Sequence, residues 1–135
     1  MLAALHPQPP QALPPSLETS DVDSTHAALA ELIEGLIQSD SAAFPWRFQA
    51  LLALLRLHIA EEGGLMRASR YPGIAEHEGE HHRVLGELVQ LNLSIKRGHL
   101  ALARAYVKDG LAPWFDLHRA TMDAALTLHL ERWAG

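Results

Sequence analysis

The chain of 135 residues falls in the size range of one domain, and its 11 basic against 16 acidic residues give a formal charge of −5, without the clustered Lys and Arg that nucleic-acid binding needs. It contains no cysteine, which excludes disulfides, zinc–thiolate sites, iron–sulfur clusters and thiol nucleophiles and leaves nitrogen and oxygen as the donors for any metal. Histidine, at 9 residues, is nearly as abundant as Lys and Arg together, and the question of function begins there.

Residues 1–19 carry prolines at positions 7, 9, 10, 14 and 15 and no basic n-region, so they read as a Pro-rich arm and not as a signal peptide. No apolar run approaches the length of a membrane span, and a soluble, cytoplasmic monomer is expected. From residue 20 to 135 the spacing is that of helices. Ser20 or Asp21 can cap a first helix at about 21–38, with Val22, Leu29, Leu32, Ile33 and Leu36 on one stripe. Ser39, Asp40 and Ser41 form a polar break. Pro45 suits the first turn of a second helix carrying Phe48, Leu51, Leu52, Leu55 and Ile59 and running to about Ser69. Tyr71, Pro72 and Gly73 interrupt it. A third helix runs from Ile74 to about Arg97, and Gly98 ends it. The last stretch is helical over 100–108 and again over 114–133, and Pro113 predicts a kink or split between Asp109 and Pro113. Strand signals are absent. Four such segments with short connections predict an all-α, up-down-up-down antiparallel four-helix bundle.

Within this frame, His58 and Glu62 are four apart on the second helix, and His77 and His81 are four apart on the third. Residues at that spacing share one helical face, so each pair can close on a single small object. Either pair alone would be read as a solvated surface pair; the phase argues otherwise. His58 continues the apolar stripe of Leu51, Leu54 and Leu55, and His81 shares a stripe with Leu85, Leu88 and Leu91, which turns both pairs toward the core. His26 lies three residues before Leu29 and seven before Ile33, on the core face of the first helix. On the last helix His118 and Asp123 are five apart, a rotation of about 140° in a regular helix. They are expected to flank a wide centre and not to meet at one atom. The seven residues His26, His58, Glu62, His77, His81, His118 and Asp123 exceed the four ligands that one zinc takes, so two metals are implied. Imidazole and carboxylate suit iron, zinc, copper or nickel, and spacing does not choose among them.

These residues resemble a known family. The run Val22-Asp23-Ser24-Thr25-His26-Ala27-Ala28-Leu29 looks like the first-helix motif of hemerythrins. His58-Ile59-Ala60-Glu61-Glu62 with Met66, Tyr71-Pro72, His77 and His81 resembles the signature of their second and third helices, and Trp114-Phe115-Asp116-Leu117-His118 with Asp123 that of the fourth. The resemblance covers about residues 20–130, in order, and the chain is similar to single-domain bacterial hemerythrins. Myohemerythrin is itself a reference case of the up-down-up-down bundle, so the family implies that topology independently of the spacing.

The resemblance implies a non-haem di-iron centre, oxo- or hydroxo-bridged, that binds dioxygen reversibly for storage, delivery or sensing. His77, His81 and His118 would hold one iron, His26 and His58 the other, with Glu62 and Asp123 bridging and an open position left on the second iron. Leu29, Ile59, Phe115 and Met122 would line the dioxygen pocket, together with Arg119. Arg119 stands where the family usually has an aliphatic residue, and Ile59 where Phe is common. A guanidinium there is expected to reach solvent along its stem or to pair with Asp116. A di-iron enzyme reducing peroxide or nitric oxide, or an iron-buffering protein, are the alternative functions. His6, His82 and His99 read as surface histidines and His129 as a histidine at the end of the core. Trp46, Trp133, Met66 and Trp114 read as packing residues.

Overall fold

The computed structural model describes the backbone of residues 19–134 and the side chains of residues 24–133, so the Pro-rich arm, His6 and the side chains of Ser20, Asp21 and Val22 lie outside the described residues. Everything described is helix or short turn. α1 spans Thr19–Gln38, α2 Phe44–Ala68 and α3 Ile74–Lys96. A fourth rod is built from α4 (Ala101–Tyr106), a π turn at Val107–Leu111, α5 (Ala112–His118), a second π turn at Arg119–Asp123 and α6 (Ala124–Ala134). α1 packs on α2 and α2 on α3; α3 meets α4, and α1 meets the middle of the fourth rod. The result is an all-helical, four-membered bundle in which no described helix is long and apolar enough to cross a membrane.

The helix ends follow from local chemistry. At the α1–α2 turn the Asp40 carboxylate accepts the Ala43 N–H at 2.8 Å, satisfying one of the donors exposed at the start of α2, and Pro45 falls in the first turn where its missing N–H costs nothing. α3 closes on Gly98, whose φ of 86° is free of steric cost for glycine; the Gly98 N–H bonds the Ile95 carbonyl at 2.9 Å and the His99 N–H the Ser94 carbonyl at 3.0 Å. α2 ends in the same way, with the Tyr71 N–H on the Met66 carbonyl at 2.9 Å, but Arg70 takes the left-handed position at φ 55°. The turn therefore begins one residue before the Tyr71-Pro72-Gly73 break legible in the sequence.

Where the sequence predicts a kink or split between Asp109 and Pro113, α4 and α5 are separated by the π turn at Val107–Leu111. The rod stays helical throughout, and the π turn takes up the disturbance: the Ala112 N–H reaches back to the Val107 carbonyl, five residues away, just before Pro113 enters in the first turn of α5. Trp46, expected to pack, is a correction. It is 62 % exposed, with the Arg47 guanidinium 5.4 Å above its ring, because it sits on the outer face of the first turn of α2.

The core has two apolar compartments. The larger contains Leu29, Ile33, Leu36, Phe44, Phe48, Leu51, Leu88, Val107 and Phe115, and the smaller Leu65, Met66, Leu126 and Leu130 with Tyr71 and Ile74 packed against them. Along α2 the first ends at Ile59 and the second begins at Leu65, and along the fourth rod they are separated between Phe115 and Leu126. The interval on α2 holds Glu62, with His58 at its edge beside Ile59, and that on the fourth rod holds His118 and Asp123. A polar layer is thus sandwiched between two dry ones, each fully buried aliphatic or aromatic side chain contributing about 1.5–3 kcal/mol toward holding it there.

Candidate metal centre

All seven sequence-predicted ligands are buried, none more than 5 % exposed. His58 and Glu62 come from successive turns of α2 and His77 and His81 from successive turns of α3, while α1 supplies His26 and the fourth rod His118 and Asp123. The imidazole Nε2 atoms point at the two carboxylates. His77 Nε2 lies 2.9 Å from Glu62 Oε1 and 3.1 Å from Asp123 Oδ1. His26 Nε2 lies 3.0 Å from Asp123 Oδ2 and 3.3 Å from Glu62 Oε2. His58 Nε2 and His81 Nε2 stand 3.3 and 3.4 Å from Glu62 Oε1.

One pairing differs from the expectation. His118 Nε2 and Asp123 Oδ1 are 3.1 Å apart, so the two residues do meet at one point. The cause is the second π turn. Its i→i+5 bonding, seen in the Ala124 N–H reaching the Arg119 carbonyl, takes one more residue into the turn than an α-helix does and brings residues five apart one above the other. The 140° rotation of a regular helix does not apply here.

The potential ligand atoms form two sets of four: His77, His81, His118 and Asp123, and His26, His58, Glu62 and Asp123, each within 4.8 Å of one another. Asp123 belongs to both. The electrostatics are those of a site arranged for cations. Burial would raise Glu62, but the imidazoles of His26, His58 and His77 hold it well below the usual carboxylate range; His118, His26 and His77 do the same for Asp123. Burial opposes protonation of His26 and His77, yet the close carboxylates of Asp123 and Glu62 outweigh it and push each up to about 9. His81 goes the other way. Burial, reinforced by its histidine neighbours against the pull of Glu62, lowers it to about 3, which keeps its lone pair free.

Polar satisfaction tests whether a metal fits. His26 Nε2, Glu62 Oε2 and both Asp123 oxygens are buried 3.0–3.3 Å from one another or from neighbouring ring nitrogens, yet none makes a well-aligned hydrogen bond, and His81 Nε2 faces His118 Nε2 at 3.1 Å. That contact is a hydrogen bond only when one of the two rings carries its proton on Nε2, and each buried polar group left without a partner costs about 1–3 kcal/mol. Cations accepting these lone pairs would remove the deficit, and imidazole with carboxylate is a donor set that divalent transition metals take. The residues therefore fit a metal centre.

The other predicted residues divide. Leu29, Ile59 and Phe115 are buried, Phe115 presenting its ring edge-on to His26 at 6.1 Å. Met122 is half-buried. Arg119 is exposed, its guanidinium 5.5 Å above the Phe115 ring, and no ion pair joins it to Asp116 among the described residues. It lines an open cleft of about 660 Å³ whose wall also includes His26, Asp123, Asp116 and Glu131. His82 and His99 are exposed, and His129 is half-buried with Nε2 at 2.9 Å from the Ser69 carbonyl. What the sequence reading missed is Trp114. Its ring stacks on His118 at 4.5 Å and 21°, and its position one turn before a core histidine on the same helix was the available signal.

An all-helical bundle with a buried layer of five histidines and two carboxylates, able to hold metal ions, is the class of protein that fold and site define. The chain is similar to a protein named bacteriohemerythrin from Ralstonia nicotianae, 32 % identical over 108 residues that span 80 % of this chain and 78 % of that one. By that relationship the chain belongs to the hemerythrin family. No family model matches it, and no solved structure matches it significantly.

Proposed function

We propose that the protein binds dioxygen reversibly at a non-haem di-iron centre, for storage, delivery or sensing. The observation that carries this reading is the division of the buried donors into a three-histidine set and a two-histidine set sharing Asp123. His77, His81 and His118 would hold one iron and His26 and His58 the other, with Glu62 and Asp123 bridging. The two-histidine side is the poorer in donors, so the exogenous ligand would enter there. When bound, iron supplies the reversible change of oxidation state that dioxygen binding requires.

The chain's own residues do the rest. Glu62 and Asp123, held ionised, offset part of the cationic charge. Leu29, Ile59 and Phe115, in the larger apolar compartment, keep water from that side of the layer. The up-down-up-down arrangement is part of the same proposal. It is supported by the order of compartments: larger compartment, ligands, smaller compartment along α2 and the fourth rod, and the reverse along α3.

A second reading, a di-iron enzyme reducing peroxide or nitric oxide, is favoured by the open cleft that reaches His26 and Asp123 beside Arg119. Metal analysis and a visible spectrum in air separate the two. The carrier reading expects two irons per chain and an absorption band that forms in air and bleaches reversibly under vacuum. Rapid passage to a permanently oxidised spectrum supports the enzyme, and absence of iron overturns both. Glu62→Gln should lose metal or leave a single ion, whereas Glu61→Gln, whose carboxylate accepts the Thr25 hydroxyl at 3.3 Å, should keep both.

A further inference from the structure

Ligand histidines in metal sites are ordinarily oriented through their second ring nitrogen, which donates to a carboxylate, a backbone carbonyl or water. Here the Nδ1 atoms of His58, His77, His81 and His118 are all buried without a hydrogen-bond partner among the described residues. For His118 the structure shows a contact of another kind that orients the ring, from one turn earlier on the same helix. The Trp114 indole lies nearly parallel to the imidazole, with centroids 4.5 Å apart and planes at 21°, the closest to parallel of the ring pairs around the site.

The indole is itself tied down from the neighbouring helix. Trp114 Nε1 donates to Glu80 Oε1 at 2.9 Å. Glu80 in turn receives both Arg83 Nε at 3.0 Å and an Arg83 terminal nitrogen at 3.1 Å, a fork that sets the carboxylate plane. Arg83 also reaches Glu87 at 3.2 Å, and Glu87 accepts the Tyr106 hydroxyl from the fourth rod. Glu80 precedes His81 in sequence, so one turn of α3 meets His118 twice: His81 faces its Nε2 directly at 3.1 Å, and Glu80 acts on its ring face through the indole.

We propose that Trp114, anchored by Glu80, is a positioning residue that holds the His118 imidazole in its ligating orientation by stacking, in the role that a hydrogen bond donated by Nδ1 plays elsewhere. As a statement about metal binding this rests on the function proposed above; as a statement about the ring it stands on the geometry alone. A rotating imidazole samples orientations in which its lone pair misses the ion, so loosening the clamp should appear as faster metal release. Losing an orienting partner typically weakens metal affinity about 10–100-fold.

The test uses the full chain loaded with Co2+, whose release to excess chelator is followed by visible absorption, beside circular dichroism to establish folding. Glu80→Ala removes the anchor, and Trp114→Phe keeps a ring but cannot donate to Glu80; both should release Co2+ about tenfold faster than the parent. Glu80→Gln keeps an oxygen that accepts the indole N–H and should restore slow release. In the metal-free chain, the His118 ring proton resonances should be shifted upfield by the indole face and should move back toward ordinary values in Glu80→Ala. Parent-like release from folded Glu80→Ala and Trp114→Phe would overturn the proposal. So would a Glu80→Gln variant as fast as Glu80→Ala, since Glu80 would then act through its charge on Arg83. If the parent takes up no Co2+, the metal reading fails by itself, and the proton shifts alone decide for or against the clamp.

Discussion

Val107–Leu111 and Arg119–Asp123 are π turns of the same length in one rod, separated only by α5, yet they arise differently. The first lies in the larger apolar compartment, with Val107 and Leu111 buried, and ends two residues before Pro113. Its cause is local: proline lacks a donor and its ring crowds the carbonyl four residues back, and a wider turn relieves both without ending the helix. The second contains neither proline nor glycine. Its one local aid is Thr121, whose hydroxyl bonds the Leu117 carbonyl at 2.7 Å, a pattern that competes with regular helical bonding. Its larger cause is tertiary, because only the wider turn lets Asp123 share a point with His118 and the histidines of α1 and α3. A π turn can thus record either a defect accommodated or a site assembled, and the neighbours tell which.

Changes of helical register should separate the two causes. The largest effect is expected from inserting one alanine after Ala120, which turns Asp123 out of the layer and rotates Leu126 and Leu130 away from the smaller compartment. Titration with Fe2+ should show metal binding nearly abolished, and the melting temperature should fall sharply. Next comes deletion of Gly110, which narrows the first π turn and leaves Pro113 in regular helix at a cost of about 3 kcal/mol. Denaturant unfolding should show that Pro113→Ala rescues most of this loss; no rescue would disprove the assigned cause. Thr121→Ala should change stability by no more than about 0.5 kcal/mol, because the hydroxyl is exposed and alanine favours helix, with metal content unchanged. The smallest effect is expected from deleting the exposed Ala120. It places His118 and the aspartate four apart in ordinary helix, where they still share a face, so iron per chain should stay the same.

The sequence by itself determined the four helical segments, their apolar stripes and the identity of all seven buried donors. These depend on properties that a helix repeats locally: His58 follows Leu51 and Leu55 in phase, and His81 precedes Leu85 and Leu88 in phase, whatever else the chain does. Tertiary structure decided what local periodicity cannot carry. The relation of His118 to Asp123 depended on a π turn that a stretch reading Arg-Ala-Thr-Met-Asp does not announce, because the free energy selecting it comes from groups on other helices. The stacking of Trp114 was visible as a spacing, but its anchoring by Glu80 joins residues 34 positions apart and became legible only once α3 and the fourth rod were side by side. Arg119 and Trp46 point the same way. Their exposure was set by which face each helix turns to its neighbours, a choice made jointly by all four helices as they bury their stripes.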